Sequence, residues 1–201
     1  MAFGLLSQSL HIFVLIIMSC VAFAGEKPIM VFDMGKTISD HTEFDPVTDA
    51  FKREWYAPGA YEYLNRLKAQ GFTLAMMINI PEEWGDTQER KLEKLKKVVR
   101  TGWDDPDHAA FDWTHFDFIF FPDNDLERKG TGNLIFYHKV IAALARVFGH
   151  RDVLFQGENP IEVAEARRAG MAAWDINRVG FSPPHYLPIE QIDDFLKTQR
   201  R

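Results

Sequence analysis

Thiols are nearly missing from this sequence. Its one cysteine, Cys20, lies in the opening two dozen residues, so the rest of the chain has no disulfide framework and no thiol chemistry. Those opening residues, MAFGLLSQSLHIFVLIIMSCVAFA, also lack any Asp, Glu, Lys or Arg. Their apolar stretch from Ile12 to Ala24 is shorter than the ~20 residues of a membrane-spanning helix. It ends in Ala22-Phe23-Ala24, an A-x-A pattern suited to signal peptidase. Residues 1–24 are expected to be a signal peptide and 25–201 the exported domain, periplasmic or secreted, with no stable membrane span after cleavage. A lipoprotein acylated on Cys20 and a retained N-terminal anchor are the alternatives.

Positive charge is also scarce. The formal net charge is -6, the opposite of the Lys and Arg excess of a general nucleic-acid binder. The seven histidines show no zinc-type spacing such as H-E-x-x-H. There is no internal repeat and no low-complexity segment.

What is present is an ordinary globular composition: 201 residues, 46% hydrophobic and 26% charged, enough for one domain with a full core. From Pro28 onward, short apolar runs alternate with helical patterns. Strands are expected at 29–33, 72–78, 116–121, 152–156 and 171–174, and helices at 58–71, 81–102, 132–149, 160–170 and 188–199. Nearly all-apolar strands between helices imply an α/β fold, a three-layer, doubly wound parallel sheet covered on both faces. Ligands gather at the carboxyl ends of such strands, which here carry Asp33, Asn79, Pro122-Asp123 and Gly157-Glu158. The aromatics Trp103, Phe111 and Trp113 are expected either to rim a site or to anchor the loop that bears them. The basic helix face around Arg90 to Arg100 is either a docking surface for an anionic partner or a solvated face.

The stretch VFDMGKTISD, residues 31–40, ends in the Gly-Lys-Thr of a P-loop. That motif needs a glycine five residues before Gly35, where the chain has Met30, so the loop is too short to wrap a phosphate. The same stretch, FDMGKT, resembles the first motif of the haloacid dehalogenase (HAD) superfamily, usually D-x-D-G-T. APGAYEYLNRLKAQGFTLAMMINIP (57–81), FDFIFFPDNDLERKGTGNLIFYHKVIAAL (116–144) and DVLFQGENPIEVAEARRAGMAAW (152–174) resemble its remaining motifs, in order.

The resemblance implies a HAD-like Rossmannoid fold, without a sizeable cap because neither inter-motif span has room for a lid domain, and hence an open site. It implies a Mg²⁺-dependent phosphatase, acting on a phosphorylated small molecule or macromolecule through an aspartyl-phosphate on Asp33. Lys129 matches the family lysine. Asp33, Gly35, Glu158 and Glu162 match the metal positions, the two glutamates sharing a helix face. Thr37, Asn79 and Lys129 are the candidates for holding the phosphate. The departures are Gly35, where the family places its acid/base aspartate, Ile78, where it places a hydroxyl, and glutamates in place of aspartates. They leave open a second reading, a catalytically impaired scaffold that serves as a binding or assembly protein.

Overall fold

The computed structural model describes residues 27–45, 50–149 and 151–199; the expected signal segment and Cys20 lie outside the described residues. Strand β1, Ile29–Phe32, leads into a segment of short strands, β2 (Ser39–His41), β3 (Phe44–Asp45), β4 (Ala50–Phe51) and β5 (Glu54–Tyr56). Then follow α1 (Ala60–Ala69), β6 (Thr73–Met77), α2 (Gln88–Gly102), β7 (Phe118–Phe120), α3 (Ile135–Phe148), β8 (Val153–Gly157), α4 (Pro160–Arg168), β9 (Ala172–Asp175) and α5 (Ile192–Gln199). Each strand and helix expected from the sequence is found with shifted ends; β8 and β9 run one residue further than expected, and the helix expected from 81 starts only at Gln88, after a 3-10 turn at Glu82–Trp84.

Five strands form one parallel sheet in the order β7-β6-β1-β8-β9. β1 is central and wholly buried. Because side chains alternate across a strand, Met30 and Phe32 enter one core, with Leu64, Leu67, Leu95 and Leu196 from α1, α2 and α5. Ile29 and Val31 enter the other, with Phe136, Val140, Val163 and Ala166 from α3 and α4. The sheet is therefore covered on both faces, and the three-layer α/β expectation holds.

Two short antiparallel ribbons, β2 with β5 and β3 with β4, were not foreseen. Strands of two or three residues are too brief to carry a period-2 signal. They form a small flap rather than a lid domain. Gly102, the last residue of α2, lets the flap approach: a Cβ there would lie 2.4 Å from the Phe51 carbonyl oxygen. The segment after β9 ties down the turn between β1 and β2. Arg178 pairs with Asp40, both buried, and donates to the Lys36 carbonyl, and the Tyr186 hydroxyl donates to the Thr37 carbonyl.

Trp103, Phe111 and Trp113 anchor their loop. Trp103 and Phe111 pack on Tyr56 at ring-centroid distances of 5.0 and 5.2 Å, and Trp113 packs on Phe111. The basic helix α2 is drawn partly into the fold. Lys91 is buried and donates to the carbonyls of Pro122 and Asp123, while Lys94 and Lys96 lie over Trp84 and Trp113.

Candidate active site

The carboxylate of Asp33 stands at the carboxyl end of the central strand, where β1 stops and the chain turns back on itself. The amides of Thr37, Ile38 and Ser39 all donate to the Met34 carbonyl, and Lys36 adopts a left-handed φ of 59°, rare for a residue with a side chain. Lys129 arrives from the loop after β7. Its buried ammonium donates to Asp33 and, at 2.8 Å, to Glu162. Burial alone would lower the lysine pKa, but the two carboxylates outweigh it and hold the value above that of a free lysine.

Lys129 is placed by two residues. Asn79, just past β6, accepts from its amide at 2.8 Å and donates to its carbonyl at 3.0 Å. Glu165 of α4 accepts from the amides of Gly130 and Gly132 and from the Tyr137 hydroxyl, pinning the turn that follows the lysine. The sequence marked Asn79 as a phosphate contact. Here its oxygen and an amide hydrogen are spent on the Lys129 backbone, so it acts as a clamp on the lysine.

Glu158 directly follows the neighbouring strand β8, and Glu162 comes from the start of α4. The expectation that they share a helix face is corrected: Pro160 opens α4 and the Asn159 side chain caps it by accepting from the Ile161 amide. Glu158 thus precedes the helix and Glu162 lies in its first turn. Thr37 is also corrected. It is fully buried, donates to Glu158 at 3.0 Å, and does not line the cavity; it orients a glutamate instead of a phosphate. Burial and the like charge of Asp33 push the Glu158 carboxyl up to about 7. Glu162 is also raised, because burial outweighs the pull of Lys129.

Whether this set suits a divalent cation is decided by charge and ligand type. Asp33, Glu158 and Glu162 are hard oxygen donors of the kind Mg²⁺ takes. Three carboxylates face one ammonium; burial first, and the like charge of Asp33 after it, raise Glu158 and Glu162, and a cation would offset that charge. Among the described residues no three such side chains already converge on one point. Lys129 bridges Asp33 and Glu162, and Thr37 holds Glu158, so closing on a cation needs the glutamate side chains to rotate. The set fits in kind and charge.

A cavity of about 420 Å³ opens over these groups. Its floor is Asp33, Asn79, Lys129, Glu158 and Glu162, and the flap supplies one wall, with Ser39, His41, Phe51 and Glu54. The sequence reading missed all four wall residues, because nothing in strands so short distinguishes them from loop. It also expected an open site; the flap makes it a walled one.

His41 and Glu54 face each other directly across the β2–β5 ribbon. The imidazole packs at a tilt on Phe51, with ring centroids 4.2 Å apart, and its Nδ1 is buried without a hydrogen-bond partner. Burial, with Lys36 adding to it, lowers the His41 pKa, so the ring is neutral at pH 7. A Cβ placed on Gly35 would lie 3.6 Å from His41 Cε1, so the imidazole fills the space beside the residue that lacks a side chain.

Glu54 is 1% exposed, accepts from Ser39 Oγ at 2.8 Å, and leaves Oε2 without a partner. Burial pushes its carboxyl from 4.5 up to about 7. A carboxyl raised by folding holds its proton more tightly in the native state. Its contribution to stability is complete below the unfolded pKa and is lost as pH rises through about 7, a loss of about 3 kcal/mol. The melting temperature is therefore expected to fall between pH 5 and pH 8, with Glu158 adding in the same direction. Glu54→Gln, which keeps the Ser39 hydrogen bond, should remove most of that fall. A wild-type profile that is flat over this range, or the same slope in the variant, would contradict this account.

No family model matches the sequence, and no curated protein matches it significantly. Solved structures do match. An uncharacterized protein from Listeria monocytogenes serotype 4b superposes with a TM-score of 0.52 at 18% identity, over 87% of this chain and 99% of that one. A HAD-superfamily hydrolase from Ehrlichia chaffeensis gives 0.48 at 15%, over 89% and 100%. The D,D-heptose 1,7-bisphosphate phosphatase from B. bronchiseptica, solved with magnesium and phosphate, gives 0.48 at 15%, over 74% and 80%. The Listeria match shows a shared fold. Asp33 stands at the tip of the central strand of the parallel sheet, and no sizeable cap domain is found among the described residues.

Proposed function

We propose that this HAD-like protein, exported as residues 25–201, is a phosphomonoester hydrolase in which Asp33 attacks phosphorus. The observation that carries the reading is the buried Lys129 ammonium, bonded at once to Asp33 and Glu162 beneath the cavity. A carboxylate and a phosphate dianion repel each other, and a fixed cation at the nucleophile offsets that repulsion. Mg²⁺, held by Asp33, the Gly35 carbonyl, Glu158 and Glu162, would supply further positive charge to the same end.

In the first step an Asp33 oxygen bonds to phosphorus while the ester oxygen leaves with the bonding pair. In the second, water displaces the carboxylate and inorganic phosphate departs. The leaving oxygen needs a proton and the attacking water must lose one. Gly35 can do neither. The flap brings two proton carriers to the cavity wall instead, the neutral imidazole of His41 and the Glu54 carboxyl near its midpoint at neutral pH.

The test is a search for the covalent intermediate. Protein incubated with phenyl phosphate and Mg²⁺, then acid-quenched and digested, should yield a phosphorylated peptide that contains Asp33, together with steady release of phosphate. The second reading, a binding protein on the same scaffold, draws on Thr37 and Asn79 being bonded within the protein. It requires neither phosphopeptide nor phosphate release across a panel of esters, and that outcome would replace the hydrolase reading.

A further inference from the structure

The cavity lining also carries an apolar set that the proposed chemistry does not require: Phe51 from the flap, with Ile78, Ile80, Pro81, Trp84 and Leu95. Ile78, whose side chain cannot donate a hydrogen bond to phosphate, belongs to this set. Trp84 ends a 3-10 turn, Glu82–Trp84, between β6 and α2. Its indole packs against the core beneath it, with Lys94 over the ring at 5.8 Å.

Among the described residues, the two ammonium groups that line the cavity are already engaged. Lys129 is bound by Asp33 and Glu162. Lys36 donates to the His41 carbonyl at 3.2 Å, lies 3.6 Å from Asp40, and sits 4.1 Å over the Phe181 ring. A second phosphate or a carboxylate on the substrate would find no unengaged ammonium along this lining, and would face Glu54 and Glu158 instead.

We infer that the substrate is a phosphomonoester of a neutral, ring-bearing alcohol or phenol, its ring seated against Trp84 and Phe51. This rests on the hydrolase reading of the floor and adds the identity of the leaving group. A volume of about 420 Å³ lies within the roughly 300–1,000 Å³ of small-molecule pockets, room for a phosphate and a flat ring together. Aromatic walls reward a ring with offset or edge contacts that a polyol cannot make. A neutral leaving group avoids the cost of desolvating a second, unpaired charge.

Calorimetric titration of the Asp33→Asn protein, which should bind without turnover, separates the possibilities. 1-Naphthyl phosphate should bind at least tenfold more tightly than glycerol 3-phosphate, and fructose 1,6-bisphosphate should show no advantage over glycerol 3-phosphate. Trp84→Leu and Phe51→Leu should each shrink the naphthyl-to-glycerol ratio severalfold, the two variants guarding against a folding defect in either. The same ratio read as kcat/KM in wild-type protein provides an independent measure.

Equal affinities, a preference for the bisphosphate, or a ratio that survives both substitutions would overturn the inference. Turnover without ring preference removes this inference and leaves the hydrolase reading standing. No binding of any of the three esters, with no turnover, removes both.

Discussion

Replacing Asp33 by Asn is expected to reduce phosphate release by at least about 10⁴-fold, some 5 kcal/mol of transition-state stabilisation, while the protein stays folded. The amide keeps the shape of the carboxylate but is a far poorer nucleophile. Lys129 keeps its 2.8 Å bond to Glu162, so its buried charge is not orphaned. The variant should also carry an electrostatic mark that a folding defect would not produce. The like charge of Asp33 is among the causes that raise Glu158 and Glu162. Without it, both carboxyls should titrate at lower pH, readable by carbon-13 NMR of labelled glutamate side chains. Residual turnover close to wild type would remove Asp33 from the chemistry. A loss of turnover with the glutamate titrations unmoved would mean that the charges are not coupled as the geometry states.

Lys129→Met is expected to damage the fold as well as the reaction. The ammonium is wholly buried and serves two carboxylates. Methionine fills much of the volume but leaves Asp33 and Glu162 close together in the interior with no counter-charge. Removing one partner of a buried ion pair costs about 3–5 kcal/mol, which for a chain of this size is a fall in melting temperature of roughly 10 °C. The sign of the pH dependence follows. In the variant, the interior penalises the charged forms of both carboxyls, so their folded pKa values rise above the unfolded ones. The deficit against wild type should therefore be largest near pH 8 and shrink as pH falls toward 5, where both groups take up protons. A deficit independent of pH would point to lost packing. A melting temperature within a degree or two of wild type at pH 8 would show that the pair is not buried as described.

The two effects are distinguishable because Asp33 and Lys129 do different work. In the proposed reaction one supplies the attacking atom, and it can lose its charge cheaply. The other supplies, among the described residues, the ammonium that neutralises Asp33 and Glu162, and a low-dielectric interior makes its absence costly.

How much of this was legible beforehand differs from residue to residue. The apolar runs IMVF and VLF announced buried parallel strands, because a strand covered on both faces has no solvent side to fill with polar residues. Asp33 and Glu158 were visible as the first acidic residues after two of those runs. Lys129 was found through a resemblance rather than a pattern. Thr37 and Asn79 were placed near the site, but not in the part they play. Their hydrogen-bonding groups were known from the sequence; their partners, Glu158 and the Lys129 backbone, lie far along the chain. His41, Phe51 and Glu54 were not seen, since ribbons of two or three residues leave no periodic trace.

The sequence alone determined the layered fold and the carboxylate at the end of its first strand, because these follow from local periodicity and from the burial that all-apolar strands demand; that this strand is central came from the tertiary structure. Only the tertiary structure decided which polar groups meet. It turned Thr37 inward to a glutamate and Asn79 onto a backbone, and set His41 beside the bare Gly35. The physical reason is that hydrogen bonds and buried charges are satisfied by whatever partner the packing brings within reach, and that partner is chosen by three-dimensional neighbourhood rather than by spacing along the chain.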